Sequence, residues 1–221
     1  METHYLNQTN QNNQTNYLVL RKFIFALVFH FSKNEKKINS LSNYLGFENL
    51  GTKLTIYFQK LEKIFQKYDN SEYHLPMIDF FETTKNIFDD LHGEIIFYWF
   101  SIFLKNWYFY KSFDPKLAII DSLYNATLDI EKKFRLSVKD KSFYSILLPC
   151  IKFIYFNKNL DTDELKNKLS VILNSSLKQN INCKSHWSKI RYLGKRSIGI
   201  VDPWSYVIYL IFDFFITSNH A

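Results

Sequence analysis

The chain has 221 residues, 47% hydrophobic and 19% aromatic, so a sizeable core can be buried. With only 5 Gly and 4 Pro it is too poor in turn formers for an all-β protein of many tight turns, and the composition predicts an all-α fold of long helices. The net charge of +7 sits at two ends, with 9 Lys/Arg against 5 Asp/Glu in residues 1–70 and 8 against 2 in 166–221, around an acidic middle of 11 against 14. Such ends suit polyanion partners, or simply a solvated lysine-rich surface.

Residues 1–16 (METHYLNQTNQNNQTN) are polar and predict a disordered tail; they lack the apolar run of a signal peptide. Apolar positions from Leu18 to Phe31 predict a first helix over 17–32, hydrophobic nearly all round and therefore buried by several partners. His30 within it suits a core or surface-edge residue better than a ligand. A turn is expected at 32–35, with Asn34 as a left-handed cap.

Residues 36–65 then carry two amphipathic patterns. Ile38, Leu41 and Leu45 have helical spacing and Gly46 closes that short helix. Thr52 can cap a second helix on which Leu54, Phe58, Leu61 and Phe65 share a face. Two short helices around a glycine-bearing turn suit a helix-turn-helix, with Thr52, Lys53, Thr55, Tyr57 and Lys60 facing outward to phosphates or base edges. The same pattern suits two helices packed on each other.

Further on, Pro76 opens a predicted helix over 77–91, and Gly93 interrupts before an apolar helix over 94–110. On it Trp99, Phe103 and Trp107 recur every four residues; such a stripe is usually core, and it is also how apolar ligand cavities are lined. Asp114-Pro115 starts a helix to about residue 135, and Ser142 another to residue 156, kinked or restarted near Pro149. Asp161 to Glu164 cap a helix to about residue 177. Residues 178–196 hold six Lys/Arg and no acid, among His186, Trp187 and Tyr192. They suit a nucleic-acid patch or, more simply, the polar edge of a helix whose Trp187, Ile190 and Leu193 face inward. Asp202-Pro203 opens a last helix over 204–217 so apolar that a partner subunit is its natural cover.

Cys150 and Cys183 show no metal spacing and no disulfide framework, which fits a reducing, cytoplasmic location. No apolar run is long enough for a membrane span of roughly 20 residues. No Gly-rich phosphate loop, metal cluster or nucleophile motif is present, so the sequence predicts no enzyme, no cofactor and no metal.

The order of a long helix, LSNYLGF, a glycine turn and GTKLTIYFQKLEKIF resembles the DNA-binding domain of TetR/AcrR-type regulators. Gly51, Thr52, Leu54, Phe58, Glu62 and Ile64 fill that family's positions. FFETTKNIFDDL, Trp187 and the terminal WSYVIYLIFDFFIT resemble later helices of a flavobacterial-type branch. The resemblance implies a three-helix helix-turn-helix domain over 17–68 and a helical ligand-binding and dimerisation domain over 69–221. It implies a ligand-responsive repressor: a homodimer through its C-terminal helices, bound to a double-stranded DNA operator. Thr52, Lys53, Thr55, Tyr57 and Lys60 would contact the DNA, and Phe80, Trp99, Phe103 and Trp107 would line a pocket for a small apolar ligand. The other expectation is a non-enzymatic helical interaction protein, such as a toxin-immunity or phage-defence partner.

Overall fold

In the computed structural model the described residues are 2–46, 49–68, 91–108, 110, 114–185 and 189–218. Among them are seven α-helices, one 3-10 segment and no strand. The helices are α1 (Glu2–Tyr44), α2 (Leu50–Tyr68), α3 (Leu91–Tyr108), α4 (Pro115–Phe134), α5 (Tyr144–Phe156), α6 (Thr162–Asn182) and α7 (Pro203–Thr217). The 3-10 segment, Lys189–Ser197, lies between α6 and α7. The fold is therefore all-α.

The first helix departs most from expectation. It is unbroken for 43 residues, through the predicted tail at 1–16 from Glu2 on, and through the predicted turn at 32–35. Ser32 and Asn34 suggested a turn because their side chains compete for backbone partners. Here each bonds back to the carbonyl four residues earlier, Ser32 Oγ to Val28 O at 2.8 Å and Asn34 Nδ2 to His30 O at 2.9 Å, and the helix continues. Once an apolar half has nucleated, each added residue gains a hydrogen bond, so a polar extension toward Glu2 follows cheaply. The end of α1 is as expected: Gly46 takes φ +78° just after it.

α2 begins at Leu50, two residues before the predicted cap at Thr52. Asn49, at φ +50°, makes the entry, with its N–H on Asn43 Oδ1 at 2.9 Å and its carbonyl accepting from Lys53 N. α2 then runs back along α1 as an antiparallel hairpin. Leu50 N reaches Ser42 Oγ, Thr52 meets Asn39 and Glu35, and Phe58 stacks on Phe31 with ring centroids 4.9 Å apart. Gly51 makes this approach possible. A Cβ there would stand 2.4 Å from the Glu35 carbonyl oxygen.

From α3 onward each helix packs on the next, and α7 returns to pack on α1, α5 and α6. The result is a ring of helices around one core. That core is continuous from Ile24 to Phe212, across the boundary at residue 68 that the resemblance implies. Tyr57 of α2 touches Phe97 of α3, and Phe97 touches Trp204 of α7. The later starts follow the sequence. Asp114 accepts from Lys116 N and Leu117 N ahead of Pro115, Asp161 accepts from Asp163 N, and Asp202 accepts from Ser205 N ahead of Pro203. α3 runs straight through Gly93, and α5 is continuous past Pro149. α6 continues five residues beyond its predicted end, to Asn182. No helix among the described residues is long and apolar enough to cross a membrane.

Candidate functional site

A run of exposed cationic and aromatic side chains marks one end of the ring. There the α1–α2 turn meets the stretch that joins α6 to α7. Tyr192 of the 3-10 segment holds its hydroxyl 4.0 Å from where a Cβ on Gly46 would stand. Gly194 and Gly199, at φ +52° and +90°, turn the chain through this stretch, as glycine does at little cost. Its outer surface is basic and aromatic. Lys184, Arg191, Lys195 and Arg196 are exposed, Tyr192 is 72% exposed, and Tyr44 at the end of α1 is 76% exposed. Ile198 adds an exposed apolar side chain.

Beneath this surface lies a buried polar layer. Lys141, in the link between α4 and α5, is 1% exposed. Its ammonium donates to three backbone carbonyls: Ile181 at 3.2 Å, Cys183 at 3.2 Å and Ser197 at 2.6 Å. Burial lowers its pKa, against which nearby Asp202 pulls upward. Asn180 is the second hub. Its amide donates to Ser145 Oγ and Ser205 Oγ, each at 3.0 Å, and its carbonyl oxygen accepts from Asp202 N. Asp202 in turn accepts from both the N–H and the hydroxyl of Ser205. Ser197 Oγ accepts from Ser185 N and donates to Gly194 O. A buried polar network of this kind favours one arrangement of the segments that it joins.

The five side chains expected to read DNA are not brought to one outward face. Thr55 is buried and Tyr57 is 1% exposed, its hydroxyl pKa raised well above the usual value by burial. Thr52 points at α1: its Oγ1 donates to Glu35 Oε1 at 2.7 Å and accepts from Asn39 Nδ2 at 2.9 Å. Lys53 is half-exposed and Lys60 exposed. The reason is the unbroken α1. Here α2 runs back along it as a hairpin, and Tyr57 and Phe58 also meet Phe97 and Phe100 of α3.

The aromatic stripe also resolves toward core. Trp99, Phe103 and Trp107 are buried and stacked in sequence, at 6.3 and 5.4 Å between centroids, and Trp99 Nε1 donates to Thr127 Oγ1 at 3.0 Å. Phe80 lies outside the described residues, as do Trp187 and the predicted helix start at Pro76. α7, for which a partner subunit seemed the natural cover, is covered by α1, α5 and α6 of its own chain: Trp204 is fully buried, Lys37 lies over the Tyr206 ring and His30 packs on Phe214. Burial also lowers the His30 pKa, so this histidine sits as an uncharged edge residue.

Sequence reasoning found the basic run at 178–196 but not its setting. It missed Lys141 and Asn180 altogether. Nothing in the local pattern of VKDKSFYS separates Lys141 from Lys139, because what distinguishes it is three carbonyls 40, 42 and 56 residues away. Among the described residues, no three of His, Cys, Asp or Glu gather into a group that could hold a metal ion.

No protein-family model matches the chain, and no curated protein matches it in sequence. Three chains of solved structures match in fold. One is the dihydroxyacetone kinase from C. freundii, solved in complex with AMP-PNP and Mg2+. The TM-score is 0.63 at 10% identity, over 89% of this chain and 33% of the kinase. The chain thus spans about a third of that kinase's length, and at this identity the likeness is one of fold.

Proposed function

We propose that this protein is a helical binding domain that takes a nucleotide or similar phosphate-bearing ligand at the loop end. One juxtaposition carries this: the Gly46 turn lies against a 3-10 segment whose exposed side chains are Arg191, Tyr192, Lys195 and Arg196. Lys184, Arg191, Lys195 and Arg196 supply charge-assisted donors for phosphate oxygens. Tyr192 and Tyr44 offer ring faces of the kind on which bases stack. The fold shared with part of a kinase solved with AMP-PNP and Mg2+ supports the same direction. The function proposed is binding.

Calorimetric titration with AMP-PNP, with and without Mg2+, tests this. Binding is expected, and Arg191→Glu or Arg196→Glu should weaken it roughly tenfold each, the size of one lost charge-assisted contact. No heat with AMP-PNP, ADP or inorganic phosphate at millimolar concentration overturns it.

A second proposal follows the resemblance to TetR-type regulators. It is favoured by the exposed lysines of the hairpin, Lys33, Lys36 and Lys37 on α1 with Lys60 and Lys63 on α2. On it the protein is a DNA-binding regulator whose hairpin grips phosphates. Retardation of its own upstream DNA, weakening steeply with salt and lost in Lys60→Glu/Lys63→Glu, is the expected result. Equal affinity for unrelated DNA would reduce it to non-specific polyanion binding.

A further inference from the structure

We infer that Lys141 is the positioning residue of the loop end: its buried ammonium holds the link from α6 to α7 in the shape that presents the basic and tyrosine side chains. This rests on the binding function proposed for that end.

The geometry is specific to that stretch. All three acceptors of Lys141 lie on it or at its root, at Ile181 near the end of α6, at Cys183 just after it, and at Ser197 at the end of the 3-10 segment. Ile181 O also accepts from Gly199 N at 2.9 Å. Ser197, whose carbonyl takes the shortest of the three bonds, ties its own hydroxyl to Ser185 and Gly194. Arg191, Tyr192, Lys195 and Arg196 are thus carried on a loop pinned at both ends to one nitrogen. That nitrogen is fixed by another part of the chain, the α4–α5 link, and is buried at 1% exposure. An apolar side chain of equal length would fill the same space, but it would take the Lys141 donor from the Cys183 carbonyl and leave Ile181 O and Ser197 O to Gly199 N and Ile200 N. A buried ammonium donating three bonds to one loop therefore sets loop shape more than it fills volume.

The two cysteines provide a readout within the native chain. Cys183 is half-exposed and its carbonyl is a Lys141 acceptor, whereas Cys150 is buried in α5. In Lys141→Met, alkylation of Cys183 should quicken at least tenfold, and the Ser185 and Gly199 amides should exchange at least tenfold faster. Cys150 should stay protected, and AMP-PNP affinity should fall at least tenfold. Cys183 and both amides within twofold of wild type would overturn the inference. If Lys141→Met unfolds, with Cys150 reacting as fast as Cys183, then Lys141→Gln decides, because it keeps the position polar while its shorter, two-donor amide cannot serve all three carbonyls. Opening confined to the loop supports the inference, and wild-type protection overturns it. If the wild-type protein binds no AMP-PNP, the proposed function fails by itself, while the cysteine and amide readouts still judge the loop.

Discussion

Replacing Gly51 by alanine distinguishes the observed hairpin from an exposed recognition helix, because the two arrangements predict opposite signs. Where nothing crowds the position, Gly→Ala at a φ that alanine can adopt is stabilising by about 0.4–1 kcal/mol. In the observed packing the new methyl would stand 2.4 Å from the backbone oxygen of Glu35, and no side-chain rotation relieves it. The two helices would have to move apart at the point where Thr52 exchanges hydrogen bonds with Asn39 and donates to Glu35. Overpacking of this kind costs about 1–3 kcal/mol, and weakening those bonds adds about 1 kcal/mol, so the net loss is about 2 kcal/mol after the gain in helix propensity. For a chain of this size that lowers Tm by roughly 4–8 °C. Urea and thermal unfolding followed by circular dichroism, at equal protein concentration, read it directly. A Tm for Gly51→Ala at or above wild type would refute the close approach of α1 and α2, and with it the burial of Thr55 and Tyr57.

Asn180→Ala should cost about 3 kcal/mol in urea unfolding, because it strips partners from several buried polar groups at once, among them Ser205 and the Asp202 N–H; a loss under 1 kcal/mol would show that the network is not a unit. Acidification tests His30. Its pKa lies below the ordinary 6.5, mainly through burial, so the unfolded chain binds the proton first and stability should fall as pH drops below 6.5. His30→Gln should flatten that part of the profile, and an unchanged slope would count against a half-buried, neutral imidazole. At the alkaline end Tyr110 is raised to about 12, first by its hydrogen bond to Asp121 and then by burial. The folded state keeps a proton that the unfolded chain sheds above 10, so this stabilisation is complete below pH 10 and is lost as pH rises toward 12. Tyr110→Phe should remove that share of the decline, as measured by stability at pH 9 and pH 11.

Several elements were legible from residues alone because their causes are local. Asp114-Pro115 and Asp202-Pro203 are local start signals, since the carboxylate meets free N–H groups and proline has none to lose. Gly46 was readable as a stop for the same kind of reason. The scarcity of glycine and proline, with apolar residues at helical spacing, was enough to indicate an all-α chain. The basic run at 178–196 was equally visible, as a composition.

Long-range packing decided the rest. Ser32 and Asn34 support either a turn or a continuing helix, and the choice fell to the helix because α2 and α7 both pack along α1. Thr52, Thr55 and Tyr57 have polar groups that suit a DNA surface as well as they suit burial. Their neighbours Asn39, Glu35 and Phe97 determine which applies, and those lie 13, 17 and 40 residues away. The apolar last helix implied a cover, for which a partner subunit was the natural expectation, and α1, α5 and α6 of the same chain pack on it. Lys141 is the extreme instance. Locally it is one lysine among 24, and only the convergence of Ile181, Cys183 and Ser197 turns it into a buried donor. A helix start depends on a few adjacent residues, whereas a face or a site depends on which distant segments arrive beside it.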